Sequence, residues 1–147
     1  MNSWKQLFSN NILWISILAW FIAQSLKVII TLITVRKLDI KRFVGSGGMP
    51  SSHSAFVVSL AVSIGETQGY NSPMFALAAT FAMIVMYDAA GVRRAAGKQA
   101  AVLNDILAQL QSKRGVSDKK LKELIGHTPI EVIIGALLGI LIAKLAF

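Results

Sequence analysis

The chain holds two histidines, and each stands at the opening of a helix. His53 follows Gly45-Ser46-Gly47-Gly48-Met49-Pro50-Ser51-Ser52, and His127 precedes Thr128-Pro129-Ile130-Glu131. Glycines at 47 and 48 let backbone N–H groups approach a ligand closely. Pro50 followed by Ser51 and Ser52 reads as a helix start, where amides and the helix dipole attract an anion. An imidazole beside such a seat suits phosphoryl transfer. A neutral imidazole can attack phosphorus to give a phosphohistidine. A second imidazole, whose ordinary pKa lies near working pH, can protonate the departing oxygen. The equatorial oxygens then need cations and N–H donors. Lys27, Arg93 and Arg94 are the candidate cations, with Gly47, Gly48, Ser51 and Ser52 as the phosphate-binding turn and Gln24 and Asp88 in support. The same stretch around His53 also reads as an ordinary helix cap with a surface histidine.

Composition narrows the setting for this chemistry. The 147 residues make a single domain of 54% hydrophobic residues and mean hydropathy +0.61, high for a soluble domain. Fifteen Lys and Arg oppose seven Asp and Glu. With long apolar runs alongside, that balance points to anionic lipid headgroups rather than nucleic acid. There is no cysteine, and the histidines have no zinc spacing, so no metal or other cofactor is expected.

The elements that must position the candidates are apolar helices. Residues 11–35 form a run long enough to span a bilayer with some tilt, without the flanks of a cleaved signal. Gln24 and Lys27 interrupt it on one face. A lysine so deep usually faces a polar cavity or partner, and the alternative is snorkelling to the interface. Residues 55–64 make a short second span that needs residues 50–54 in its first turn, which puts His53 near the membrane surface. Ser72-Pro73 opens a third, 74–86, ending near Asp88. Asp88 with Arg93 and Arg94 reads equally as a membrane-edge salt bridge.

Residues 95–111 carry Val102, Leu103, Ile106, Leu107 and Leu110 at helical spacing among polar residues. This predicts an amphipathic helix, at an interface or packed on the bundle. Ser117-Asp118 can cap a short basic helix to about 125. The last span, 132–146, is opened by Thr128, Pro129 and Glu131 as a capping box, which is by itself a sufficient role for Glu131. Gly135 and Gly139 make a small-xxx-small face for close helix packing. The expectation is an all-α membrane bundle of about four transmembrane helices and one interfacial helix.

Charge predicts the orientation. Four Lys and Arg lie in 36–42 and eight in 93–122, whereas 66–73 has none. Both basic loops then face the cytoplasm and both termini lie outside. His53, Arg93, Arg94 and His127 all fall on the cytoplasmic face of a multi-pass cell-membrane protein.

Pro50-Ser51-Ser52-His53 resembles the PSGH signature of the type 2 phosphatidic acid phosphatase superfamily, and His127 to Gly135 resembles its later HxxxD…G signature. GGMPSSHSA, with YDAAGVRR and GHTPIEV, is similar to the compact divergent branch of that superfamily. The resemblance implies a metal-independent membrane phosphatase acting on lipid phosphates or diphosphates. It matches His127 to the nucleophile, Glu131 to the acid that orients it, His53 to the general acid, and Ser51 and Ser52 to the phosphate-binding turn. The family aspartate is Glu131 here, the glycine of PSGH is Ser52, and Leu121 stands at a family arginine. Lys27 begins a first motif that is not intact, since Thr34 stands seven residues on with no proline following. That break favours a second reading, a non-catalytic binder or carrier of phospholipid or phosphate. The partners implied are a phosphorylated lipid and the anionic bilayer, with self-association left open.

Overall fold

The computed structural model describes residues 3–36, 48–114 and 126–147, without the side chains of residues 35, 93, 94 and 109–114. They form six helices: α1 (Ser3–Phe8), α2 (Asn11–Val35), α3 (Ser52–Gln68), α4 (Pro73–Ala90), α5 (Val92–Arg114) and α6 (Pro129–Ala146). The basic helix expected after Ser117 and the loop around 37–47, Gly47 included, lie outside the described residues.

Local chemistry sets most helix ends. The Asn10 side chain accepts the Leu13 N–H to start α2, and Ser72 accepts the Phe75 N–H to start α4 with Pro73 in its first turn. Thr128 and Glu131 close a reciprocal capping box on α6. Side-chain caps of this kind satisfy amides that a helix start leaves without intrahelical partners. α3 departs from expectation in one detail. Its cap is Ser51, whose hydroxyl accepts the Ser54 N–H, so Pro50 precedes the helix and does not lie in its first turn.

Among the described residues, three helices are long and apolar enough to cross a bilayer on their own: 11–34, the apolar stretch within 73–108, and α6. The short second span expected from the sequence is α3, and it is the helix the others surround. Ser52, Ser54, Ala55, Val57, Ser59, Ala61, Ser63, Ile64 and Gly65 are all buried, covering almost its whole circumference. α2, α4 and α6 each pack on α3, and α2 and α6 also meet, while α2 and α4 scarcely touch. Small residues permit this. A Cβ on Gly139 would stand 2.5 Å from the Ala55 carbonyl oxygen, and one on Gly135 would collide with that of Ser51. The small-xxx-small face is thus the α6 surface that seats α3.

At the end away from the histidines, Lys144 pairs with Glu66, which also accepts the Tyr70 hydroxyl at 2.7 Å. That bond holds the Tyr70 phenol above its usual pKa. Asn11 and Phe147 line one cavity near this end, so α2 and α6 start and finish level. At 1.5 Å per residue α2 is about 37 Å long and α6 about 27 Å, so α2 overhangs by about 10 Å at the histidine end.

Gly91 alone separates α4 from α5, which begins at Val92, three residues earlier than its periodicity suggested. Arg93 and Arg94 therefore lie in its first turn. Among the described residues α5 packs appreciably only on α4, and Val102, Leu103 and Ile106 are exposed. That placement leaves its apolar face off the bundle.

Candidate active site

Three helix ends converge around His127. Its backbone N–H donates to the Ala89 carbonyl in the last turn of α4 at 3.0 Å, and the Ser51 N–H donates to the Glu131 carbonyl at 3.0 Å. The end of α4, the cap of α3 and the start of α6 are thereby tied together. His127 is 2% exposed. Its Nδ1 lies 2.9 Å from Glu131 Oε2, and the same oxygen accepts the Thr128 N–H at 3.1 Å. The cap and the histidine contact are therefore not alternatives for Glu131, because one oxygen makes both.

His53 is the second residue of α3, and its ring faces that of His127 with centroids 6.1 Å apart at 64°. The pair comes together because Gly135 and Gly139 let α3 press against α6. At this separation one phosphoryl group can contact both rings, within the range of general acid–base and nucleophilic chemistry. Ser51 is fully buried. Its hydroxyl is engaged with Ser54, at both the amide and the side chain, and its carbonyl takes the Ala55 N–H. Ser51 Oγ is the acceptor in both Ser54 contacts, so its own O–H proton remains to be donated at this helix start, beside the Ser52 amide. Gly48 takes a left-handed φ of 86°, a turn that suits glycine at the approach to the site.

Lys27 is 1% exposed and its Nζ donates to Gln24 Oε1 at 2.7 Å. This is a buried amide–ammonium pair, not a lysine snorkelling to the interface. Trp20 borders one groove with His53, and Lys27 is seven residues further along α2, about 10 Å towards its overhanging end. Its backbone therefore lies about that far beyond Trp20, while its Nζ turns back to Gln24, one turn nearer the groove. Asp88 is half-buried in the last turn of α4; the pairing expected with Arg93 and Arg94 falls on side chains outside the described residues, as does Leu121. No cluster of three His, Cys, Asp or Glu side chains occurs among the described residues.

Sequence reasoning missed the apolar wall beside His53, formed by Ile17, Trp20, Phe56 and Val57. A signal for it existed, since Ile17, Trp20, Gln24, Lys27 and Thr31 follow one another at three- and four-residue steps.

A family model described as "Divergent PAP2 family" matches residues 8–142. The chain is similar to the uncharacterized membrane protein YuiD of Bacillus subtilis (strain 168), at 43% identity over 93% of this chain and 94% of that protein. No solved structure matches the chain. The paired histidines thus sit in a multi-pass membrane protein that belongs to the divergent PAP2 family.

Proposed function

We propose that this protein is a membrane hydrolase that removes phosphate from a lipid phosphomonoester or diphosphate through a phosphohistidine on His127. The observation that carries the reading is the facing pair His53–His127 with Glu131 on Nδ1 of His127. Because Glu131 engages Nδ1, attack falls to Nε2. The Nε2 lone pair forms a bond to phosphorus while the bond from phosphorus to the lipid oxygen breaks. Protonated His53 gives its proton to that oxygen, and the lipid alcohol leaves, or the lipid monophosphate where the substrate is a diphosphate. The phosphorylated ring is then cationic, and the Glu131 carboxylate lies against it.

Water attacks phosphorus in the second step and passes a proton to His53, which is neutral by then. The N–P bond breaks, its electron pair returns to Nε2, and inorganic phosphate is released. Lys27, Gly47, Gly48, Ser51, Ser52 and either Arg93 or Arg94 would hold the non-bridging oxygens. Clustered Lys and Arg in 36–42 and 93–122 support a cytoplasmic site with both termini outside.

Brief incubation with a 32P-labelled long-chain alkyl phosphate, followed by denaturation, should leave acid-labile, alkali-stable label on His127. The label should form slowly in His53→Ala, because the lipid alkoxide then leaves without its general acid, and vanish in His127→Ala. Phosphate release by His127→Ala would refute the phosphohistidine step, and binding without turnover by the wild type would identify a phospholipid binder instead.

A further inference from the structure

An open groove of about 320 Å³ runs between α2 and α3, lined by Ile17, Trp20, Phe56 and Val57 with His53 as its polar member. Its volume is at the lower end of ligand pockets, roughly 300–1,000 Å³. Ile17, Trp20, His53 and Phe56 are half-buried, so the groove opens on the side of the bundle. The helix arrangement explains the opening: α2, α6 and α4 surround α3, but α2 and α4 scarcely meet. Near the opposite end Ile12, Leu60 and Phe75 pack with Ala61, Ile64 and Ala78, so the three helices are joined there by apolar contact.

The direction of the chemistry assigns this groove an occupant. A general acid at His53 must reach the oxygen that leaves, so the carbon bonded to that oxygen lies on the His53 side of phosphorus. The apolar room bordering His53 is where the rest of that alcohol can go. Polarity along α2 falls in the same direction, from Lys27 through Gln24 to Trp20 and Ile17. A lipid lying with its phosphate towards Lys27 and its chain towards Ile17 matches this gradient and runs parallel to the helix axes, as bilayer lipids do.

We propose that the groove seats the hydrocarbon chain of the lipid phosphate that reacts at His53 and His127, with Trp20 and Phe56 determining the chain it accepts. The direction of the chain rests on the phosphatase reading; the seat itself can be tested without turnover. The full-length protein in nanodiscs is irradiated with hexadecyl phosphate carrying a mid-chain diazirine, and adducts are mapped by mass spectrometry. Adducts are expected on Ile17, Trp20, Phe56 or Val57, competed away by plain hexadecyl phosphate and lost in Val57→Trp, which fills the groove. Adducts confined to other faces, adducts undiminished in a folded Val57→Trp, or cross-links at Trp20 and Phe56 between two copies would overturn the proposal.

The kinetic arm compares kcat/KM for hexadecyl and butyl phosphate. In Phe56→Ala and Val57→Trp the long-to-short ratio should fall roughly tenfold, equivalent to losing about two buried methylenes. An equal fall for both substrates would make these residues structural and overturn the proposal. Groove adducts in a wild type that hydrolyses neither substrate would leave the chain seat standing and defeat the phosphatase reading. Turnover with adducts elsewhere would do the reverse.

Discussion

Glu131→Gln separates charge from geometry at one oxygen. Glu131 Oε2 accepts both the Thr128 N–H at 3.1 Å and His127 Nδ1 at 2.9 Å. A glutamine carbonyl can occupy the same place, so the cap and the tautomer of His127 are both retained. Exchanging charge-assisted for neutral hydrogen bonds should cost roughly 1 kcal/mol of stability. The rate should suffer more. The ring becomes cationic when phosphorus is bound, with the carboxylate about 4 Å away; at an effective dielectric near 20 that attraction is about 4 kcal/mol. Glu131 is 19% exposed, and screening reduces the effect to about 2–3 kcal/mol, or about 30- to 150-fold in kcat. Glu131→Ala should lose at least as much rate, since the contact with His127 Nδ1 goes, and about 1 kcal/mol more stability, because the Thr128 N–H loses its acceptor while Thr128 still caps the residue-131 N–H. Phosphate release from a long-chain alkyl phosphate in mixed micelles measures the rate, and thermal unfolding of the same preparation measures the cap. A Glu131→Gln protein with the wild-type rate would refute the orienting role and leave Glu131 as a cap alone.

Lys27→Met removes a buried charge whose Nζ is bonded to Gln24. It should fold, yet lose about 2.7–4 kcal/mol of transition-state stabilisation if Lys27 meets the phosphate; unchanged kinetics would confine Lys27 to its bond with Gln24. Gly135→Ala sets two effects against each other. Helix propensity gains about 0.8–1.0 kcal/mol, but the new Cβ meets the Ser51 backbone, and overpacking of this kind costs about 1–3 kcal/mol. A lower Tm and a slower rate are expected, since α3 must move away from α6 and His53 with it; a higher Tm would show that the interface yields freely.

The sequence by itself determined whatever depends on residues within a turn or two of each other. The bounds of α2, the proline start of α4, the capping box of α6 and the Gln24–Lys27 pair all emerged as read, because caps and i,i+3 contacts are local. The motifs around His53 and His127 also identified the family. Only the tertiary structure decided that α3 is central. Average hydropathy reports fitness for lipid, and a serine-rich helix scores poorly on it. α3 meets protein on nearly every side, so what matters there is how closely small residues pack. The same long-range packing brings His53 to His127, binds the Ser51 amide to the Glu131 carbonyl and turns Trp20 and Phe56 into one wall. Local spacing shows at most which residues share a face, as along Ile17, Trp20 and Gln24; each of these contacts depends on how helices distant in sequence are placed against one another.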